Sequence, residues 1–209
     1  MKDTYKKFTD LKSNQPKDFK IRMENRNSKF LIFTPHGGGI EQGTSEICER
    51  IAGEIYSYYL FEGKGNKCKK LHITSTNFDE PNLHSILPKH KYAISVHGMT
   101  NKIKKDVSAD VYLGGLNKEL IMATTKILNN QGFRTSNNIT KPHRTLSGTH
   151  KNSVTNKCSS GVGMQIELSN HLRAKFFEGN HKLKKFRISK TEQFDMFCDA
   201  IKECIKEFT

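Results

Sequence analysis

Apolar residues along this chain alternate between short β-prone runs and stretches at helical spacing. Phe30-Leu31-Ile32-Phe33 is too short for a helix and predicts a buried strand. Pro35 cannot donate to a sheet ladder and is expected to close it. Ile47, Ile51, Ile55 and Tyr58 recur at helical spacing behind the caps Thr44 and Ser45, so a helix is expected up to Gly63 and Gly65. Residues 71–75 form the next strand candidate, followed by a loop with Pro81 and Pro88. Residues 91–96 predict a strand that runs straight into His97-Gly98, and residues 110–114 predict another. Asn117 can cap a helix whose apolar positions are Leu120, Ile121, Thr124, Ile127 and Leu128, with Gly132 at its end and a short strand over 133–135. In residues 162–169, Val162, Met164, Ile166 and Leu168 share one face, while Gln165 and Glu167 share the other. The last helix begins with Ser189 and Glu192 spaced as a capping box and buries Phe194, Phe197, Ile201, Ile205 and Phe208. No internal repeat is visible, and the alternation predicts an α/β fold: an open, twisted, mixed sheet with helices on both faces.

Two stretches fall outside this pattern. Residues 1–27 carry Lys2, Lys6, Lys7, Lys12, Lys17 and Lys20 with few apolar residues and read as a basic surface segment that packs on the domain. Residues 136–160 are rich in Asn, Thr, Ser, Lys and His and read as a long functional loop. The 209 residues suit a single catalytic domain. With 34% hydrophobic residues the core is modest, and no apolar run approaches the roughly 20 residues of a membrane span. The first 17 residues lack the apolar run of a signal peptide, so a cytoplasmic site of synthesis is expected. Cys48, Cys68, Cys158, Cys198 and Cys204 form no C-x-x-C pair or disulfide framework, which fits a reducing compartment. The net charge of +14 implies an anionic partner without saying which. A nucleic-acid module would account for it, yet no zinc-finger spacing, RNP-like aromatic stretch or basic zipper is present.

The candidate chemistry follows the first strand. His36 comes directly after Pro35, then three glycines, then Ile40 and Glu41. The glycines allow a tight turn that can return the Glu41 carboxylate to the His36 imidazole. A His and a carboxylate joined by a third ligand make the open three-ligand zinc site of a hydrolase. His97 ends another predicted strand in the same way, and two strand-end histidines can converge on one crevice of an open sheet. A His-Gly-Gly-Gly run also builds the oxyanion hole of serine esterases, but no Gly-x-Ser-x-Gly elbow accompanies it. Nor does a Lys-Ser/Thr follow the glycines, as a phosphate loop requires. Glu167 lies within an apolar strand, where a carboxylate is costly unless it is functional or paired, for instance with a lysine.

The landmarks Pro35-His36-Gly37-Gly38-Gly39-Ile40-Glu41-Gln42-Gly43-Thr44-Ser45-Glu46, Ser95-Val96-His97-Gly98, Gly114-Gly115-Leu116, and Gln165-Ile166-Glu167-Leu168-Ser169 with Arg173 resemble the poly-γ-glutamate hydrolase family. These are phage- and Bacillus-associated zinc amidohydrolases with a carboxypeptidase-like fold, and the landmarks occur in the family's order. The resemblance covers most of the chain beyond the N-terminal segment. It implies zinc as cofactor, His36, Glu41 and His97 as its ligands, and Glu167 as the catalytic carboxylate. Arg173, one helical turn past Glu167, is the candidate for binding a substrate carboxylate or the oxyanion. The implied partner is poly-γ-glutamate, an anionic polymer that a basic cleft would attract, and a phage-derived member would leave the host on lysis. Residues 137–157, with Lys141, His143, Arg144, His150, Lys151 and Lys157, are the expected lip of that cleft. A carboxypeptidase-like zinc amidohydrolase acting on small acylated amino acids would use the same metal site. The nucleic-acid module remains the alternative from another class.

Overall fold

The computed structural model describes residues 3–100, 109–143 and 145–209. Its frame is a seven-stranded sheet in the order β1-β3-β2-β4-β7-β5-β6. The strands are β1 (Phe19–Glu24), β2 (Phe30–Gly38), β3 (Ser57–Gly63), β4 (Tyr92–Met99), β5 (Val111–Gly115), β6 (Thr135–Asn137) and β7 (Met164–Ser169). Strands β3, β2, β4 and β7 run parallel, while β1 and β5 are antiparallel to their neighbours β3 and β7. The sheet is therefore mixed, as expected.

Each face has its own core. On one, Ile32, Ile94, Val96, Met164, Ile166 and Leu168 pack under the helices α2 (Thr44–Ala52), α4 (Lys118–Asn130) and α6 (Glu192–Lys206). On the other, Leu31, Phe33, Tyr59, Phe61 and Ala93 pack under α1 (Phe8–Asn14) and α3 (Pro81–Ile86). A short α5 (Asn170–Lys175) follows β7, with the Ser169 side chain accepting from the Leu172 N–H as its cap. Asn117 caps α4 as expected, its side chain accepting from the Leu120 N–H. Among the described residues no helix is long and apolar enough to cross a membrane. All five cysteines are free and buried.

The structure corrects several expected elements. The helix over 44–63 stops at Ala52, because Gly53 follows in a conformation that breaks it, and Ser57–Gly63 becomes β3. The aromatic run Tyr58-Tyr59-Leu60-Phe61 favours a strand, and Ile55, expected in the core, is 66% exposed. The cap of α2 is Gly43 at φ 97°, a left-handed position that glycine adopts without strain, rather than Thr44 or Ser45. Residues 68–71 form a short 3-10 helix where a strand over 71–75 was expected, and Pro81 opens α3 within the expected loop. The strand expected over 133–135 starts at Thr135. Ser189 makes no capping box: Thr191 occupies the cap position of α6, without a side-chain cap.

The N-terminal segment is more than a surface tail. Residues 19–24 form an edge strand paired with β3 throughout, and Phe8 and Leu11 of α1 are buried against the second core. Leu11→Ala should therefore cost about 2–5 kcal/mol, the range for emptying a core leucine site. A urea titration followed by circular dichroism measures it, and a midpoint equal to that of the parent would return this segment to the surface.

Candidate metal centre

The site lies where the parallel strands end, at the crevice that open α/β sheets reserve for ligands. Pro35 does not close β2. The strand continues to Gly38, and its register with β3 slips by one residue between Thr34 and Gly37. The bulge accommodates a residue that has no N–H to donate. It also reverses the alternation of side chains. Leu31 and Phe33, at odd positions, face the second core, yet His36 also faces that side, its ring 6.3 Å from Phe78. His97 reaches the same face without a bulge, because Val96 before it points into the first core. Glu167 stands beside His97 in register on the neighbouring strand β7.

The glycine turn returns Glu41 to this point. The Glu41 N–H donates to the His36 carbonyl at 2.9 Å and closes the turn. Its Oε1 then lies 3.2 Å from His36 Nδ1, and its Oε2 lies 3.7 Å from His97 Nδ1. Oε2 also accepts from the Gly98 N–H at 2.8 Å. His36 Nε2 bonds the Ile73 carbonyl at 2.8 Å; a carbonyl only accepts, so the proton sits on Nε2 and neutral His36 offers Nδ1 as a lone pair. That lone pair faces His97 Nδ1 at 3.1 Å. His36, Glu41 and His97 are all buried, and their donor atoms lie within 4.8 Å of one another.

Two imidazole nitrogens and a carboxylate oxygen aimed at one buried point make a donor set suited to a divalent metal such as zinc. Electrostatics give the same answer. Burial alone would push His36 down, but the facing Glu41 carboxylate reverses this and raises it above the ordinary 6.5. Burial likewise pushes Glu41 up, and His36 more than offsets it, holding the carboxyl at about 2. His97 falls to about 3, through burial and then the neighbouring His36 cation. The Glu41 carboxylate thus favours positive charge at this point, whether a proton on His36 or a bound cation.

Glu167 has different surroundings. Burial first, and the Glu41 charge second, push its carboxyl well above the ordinary range, with Arg173 and a hydrogen bond from Gln165 opposing them. Gln165 Nε2 donates to Glu167 Oε1 at 2.8 Å. The lysine partner weighed for Glu167 is absent among the described ion pairs. Arg173, expected at the substrate, is buried and does not line the cleft. Its Nε donates to the Leu168 carbonyl at 3.3 Å, and its two terminal nitrogens donate to the Gln42 carbonyl at 2.7 Å and the Met99 carbonyl at 3.2 Å. Gly98 leaves room for this guanidinium, since a Cβ there would come 2.6 Å from Arg173 Cζ and displace it.

His36, Glu41, His97 and Glu167 all open onto a cleft of about 910 Å³. Its lining includes Thr74, Ser75 and Thr76 together with Thr145, Ser147, Thr149 and His150. The expected lip, residues 137–157, forms part of the wall through residues 145–150 and Ser153. Of the basic and histidine side chains named for it, His150 is among the lining residues, Lys141, His143, Lys151 and Lys157 are not, and Arg144 lies outside the described residues. No lysine or arginine is among the described lining residues. His72, absent from the sequence argument, lines the cleft and stacks on His36 with ring centroids 4.1 Å apart. Its neighbourhood read as a strand, so nothing in the local pattern marked it.

Comparison with known proteins fits this geometry. The model of the poly-gamma-glutamate hydrolase family matches residues 5–200, a range that includes most of the N-terminal segment left out of the sequence landmarks. The SPbeta prophage-derived protein YoqZ of Bacillus subtilis (strain 168) is 38% identical over 177 residues, covering 84% of this chain; the match spans only 62% of YoqZ. A bacteriophage poly-gamma-glutamate hydrolase structure superposes with a TM-score of 0.90 at 33% identity, over 99% of this chain and 98% of that one. The zinc-free form of YndL, a Bacillus subtilis (strain 168) protein, superposes with the same score and identity over 99% of both chains.

Because a raised His36 must lose its proton before Nδ1 can bind a metal, zinc affinity should climb as pH rises through the interval above the ordinary imidazole value of 6.5. Equilibrium dialysis across that interval tests this, and a flat profile would remove His36 from the ligand set. His36→Ala and His97→Ala should each empty the site, and full zinc occupancy in both would overturn the assignment.

Proposed function

The chain belongs to the poly-gamma-glutamate hydrolase family, and from that premise we propose that it is a zinc-dependent hydrolase of the γ-glutamyl amide bonds of poly-γ-glutamate. The observation that carries the reading is the convergence of His36, Glu41 and His97 beside Glu167 at the end of the parallel strands. His36 and His97 would hold zinc through Nδ1 and Glu41 through its carboxylate. The zinc-free form of the relative YndL supports that choice of metal. Bound zinc would supply Lewis acidity, polarising the scissile carbonyl and acidifying water.

The chain's own residues do the rest. Glu167, beside His97, is the general base: it takes a proton from the attacking water and returns it to the leaving amine. The two pushes that raise its pKa behave differently. Burial persists, whereas the charge of Glu41 is neutralised where that carboxylate serves as a ligand. Gln165 holds Glu167 Oε1 by a donated hydrogen bond and so fixes which oxygen faces the cleft. Arg173 acts behind the wall, tying together the carbonyls of three strand-end segments and lowering the Glu167 carboxyl through space. The hydroxyl-lined walls suit the α-carboxylates and amides of a glutamate polymer. The whole of residues 1–209 is read as one catalytic domain. A carboxypeptidase-like action on small acylated amino acids would leave polymer length unchanged except at the termini.

Glu167→Gln should keep zinc and fold while losing about 10²–10⁴-fold in turnover, because glutamine matches the shape but accepts no proton. Single-turnover assays beside thermal melts separate this from a structural role, which would show a lowered melting temperature with near-normal turnover. Cleavage of poly-γ-glutamate should also slow as salt rises, since the attraction of a +14 chain for a polyanion is screened. An unchanged kcat/KM would take charge out of the account. Loss of long chains on a sizing column, abolished by a chelator, is the expected outcome for the reading as a whole; release of single terminal residues would favour the carboxypeptidase-like action.

A further inference from the structure

The N-terminal segment reaches the metal centre. It is anchored at α1, where Phe8 packs with its ring centroid 6.1 Å from that of Phe61 and its N–H donates to Asp79 Oδ1 at 2.6 Å. From that anchor the chain runs back to Asp3, whose two oxygens both grip residues 72–74. Oδ1 accepts from His72 Nδ1 at 2.8 Å, and Oδ2 accepts from the Thr74 backbone N–H at 2.8 Å. Partial burial would raise the Asp3 carboxyl, but the Thr74 and His72 hydrogen bonds outweigh it and keep it below the ordinary range.

The same three residues hold His36 in two ways. The Ile73 carbonyl takes the proton of Nε2, and the His72 ring lies against the His36 ring at an interplanar angle of 27°. Residues 72–74 belong to no strand or helix, so no sheet ladder fixes their position. Other ties are the Ile73 side chain, buried in the second core, and three backbone bonds: the His72 N–H donates to the Lys69 carbonyl at 3.3 Å, the Thr74 carbonyl accepts from Asn77 at 2.7 Å, and the Ser75 carbonyl accepts from Val154 at 3.0 Å. Asp3 is the side chain that clamps this segment from outside.

We propose that Asp3 is a positioning residue for the metal centre, acting through residues 72–74 to hold His36 in the tautomer and ring orientation that present Nδ1 to the cation. The inference rests on the metal-site reading above and extends it to a residue some 70 positions from the segment it grips. A ligating histidine is tuned by the partner of its other nitrogen. Here that partner is a backbone carbonyl in irregular chain, so whatever steadies the chain also steadies the ligand. Removing Asp3 leaves two donors without their acceptor and lets the Ile73 carbonyl drift from His36 Nε2.

Zinc affinity measured by competition with a chromophoric chelator, with the visible spectrum of the cobalt(II)-substituted protein, tests the proposal on the full chain. Asp3→Ala should bind zinc about 10–100-fold more weakly than the parent and shift the cobalt bands, as loss of a supporting hydrogen bond does at metal sites. Asp3→Asn keeps the shape and one acceptor oxygen but turns an N–H toward a donor, so it should fall between the two and serves if the alanine variant does not fold. Affinities within about twofold of the parent and an unshifted cobalt spectrum in both variants would overturn the proposal, even with a lowered melting temperature, because a merely structural tie moves stability alone. A parent protein that binds no zinc would instead bring down the metal-site reading, and this inference with it.

Discussion

A single extra residue in β2 decides whether this protein has a site. Side chains on a strand alternate with a period of two, so His36, at an even position, would ordinarily join Ile32 in the first core. The slip between Thr34 and Gly37 cancels one step of that alternation and turns His36 to the face where His97 and Glu167 already point. Everything else at the centre builds on that reversal. The glycine turn can bring Glu41 back only to a histidine on that side, and the Ile73 carbonyl meets Nε2 only there. A β-bulge beside a functional site re-aims a side chain; here the side chain re-aimed is a proposed metal donor.

The second constraint is charge. Two carboxylates, Glu41 and Glu167, are buried close to one another, with the single guanidinium of Arg173 behind them. Burial pushes Arg173 itself down, and the two carboxylates oppose that push. With Glu167 pushed toward its neutral form, the charge His36 faces is that of Glu41, and it is this deficit of positive charge that raises His36 above its ordinary value. A divalent cation would satisfy the same deficit while leaving Glu167 free to act as a base. Arg173 thus has a task that its position in the sequence did not suggest. It neutralises the pocket from below and bonds the carbonyls at which the site segments end.

The sequence made the chemistry more legible than the architecture. Strands over 30–33, 91–96 and 110–114 were readable as short apolar runs and the strand over 162–169 by its alternation, and His36, Glu41, His97 and Glu167 follow or lie within three of them. α4 was readable because Asn117 and Gly132 punctuate a helical period. β3 was not, because Ile47, Ile51, Ile55 and Tyr58 continue a helical period by coincidence past the glycine that stops the helix. β1 was missed although Phe19, Ile21 and Met23 alternate with Lys20, Arg22 and Glu24 at the strand period, because the lysines around it made the whole segment read as surface. His72 and Asp3 were invisible for a different reason. Their parts are defined by contacts across about 70 residues, and no local pattern encodes those.

Strand order has one more consequence, for how the protein comes into being. β7 is the last strand in the chain, yet it lies inside the sheet, between β4 and β5. During synthesis the flanks of β4 and β5 therefore wait with unpaired backbone until residues 164–169 emerge, and long-range pairings of this kind form slowly. The strand that completes the sheet is also the one that carries Glu167. A nascent or truncated chain would thus lack the carboxylate proposed as general base for as long as it lacks the strand that closes the sheet.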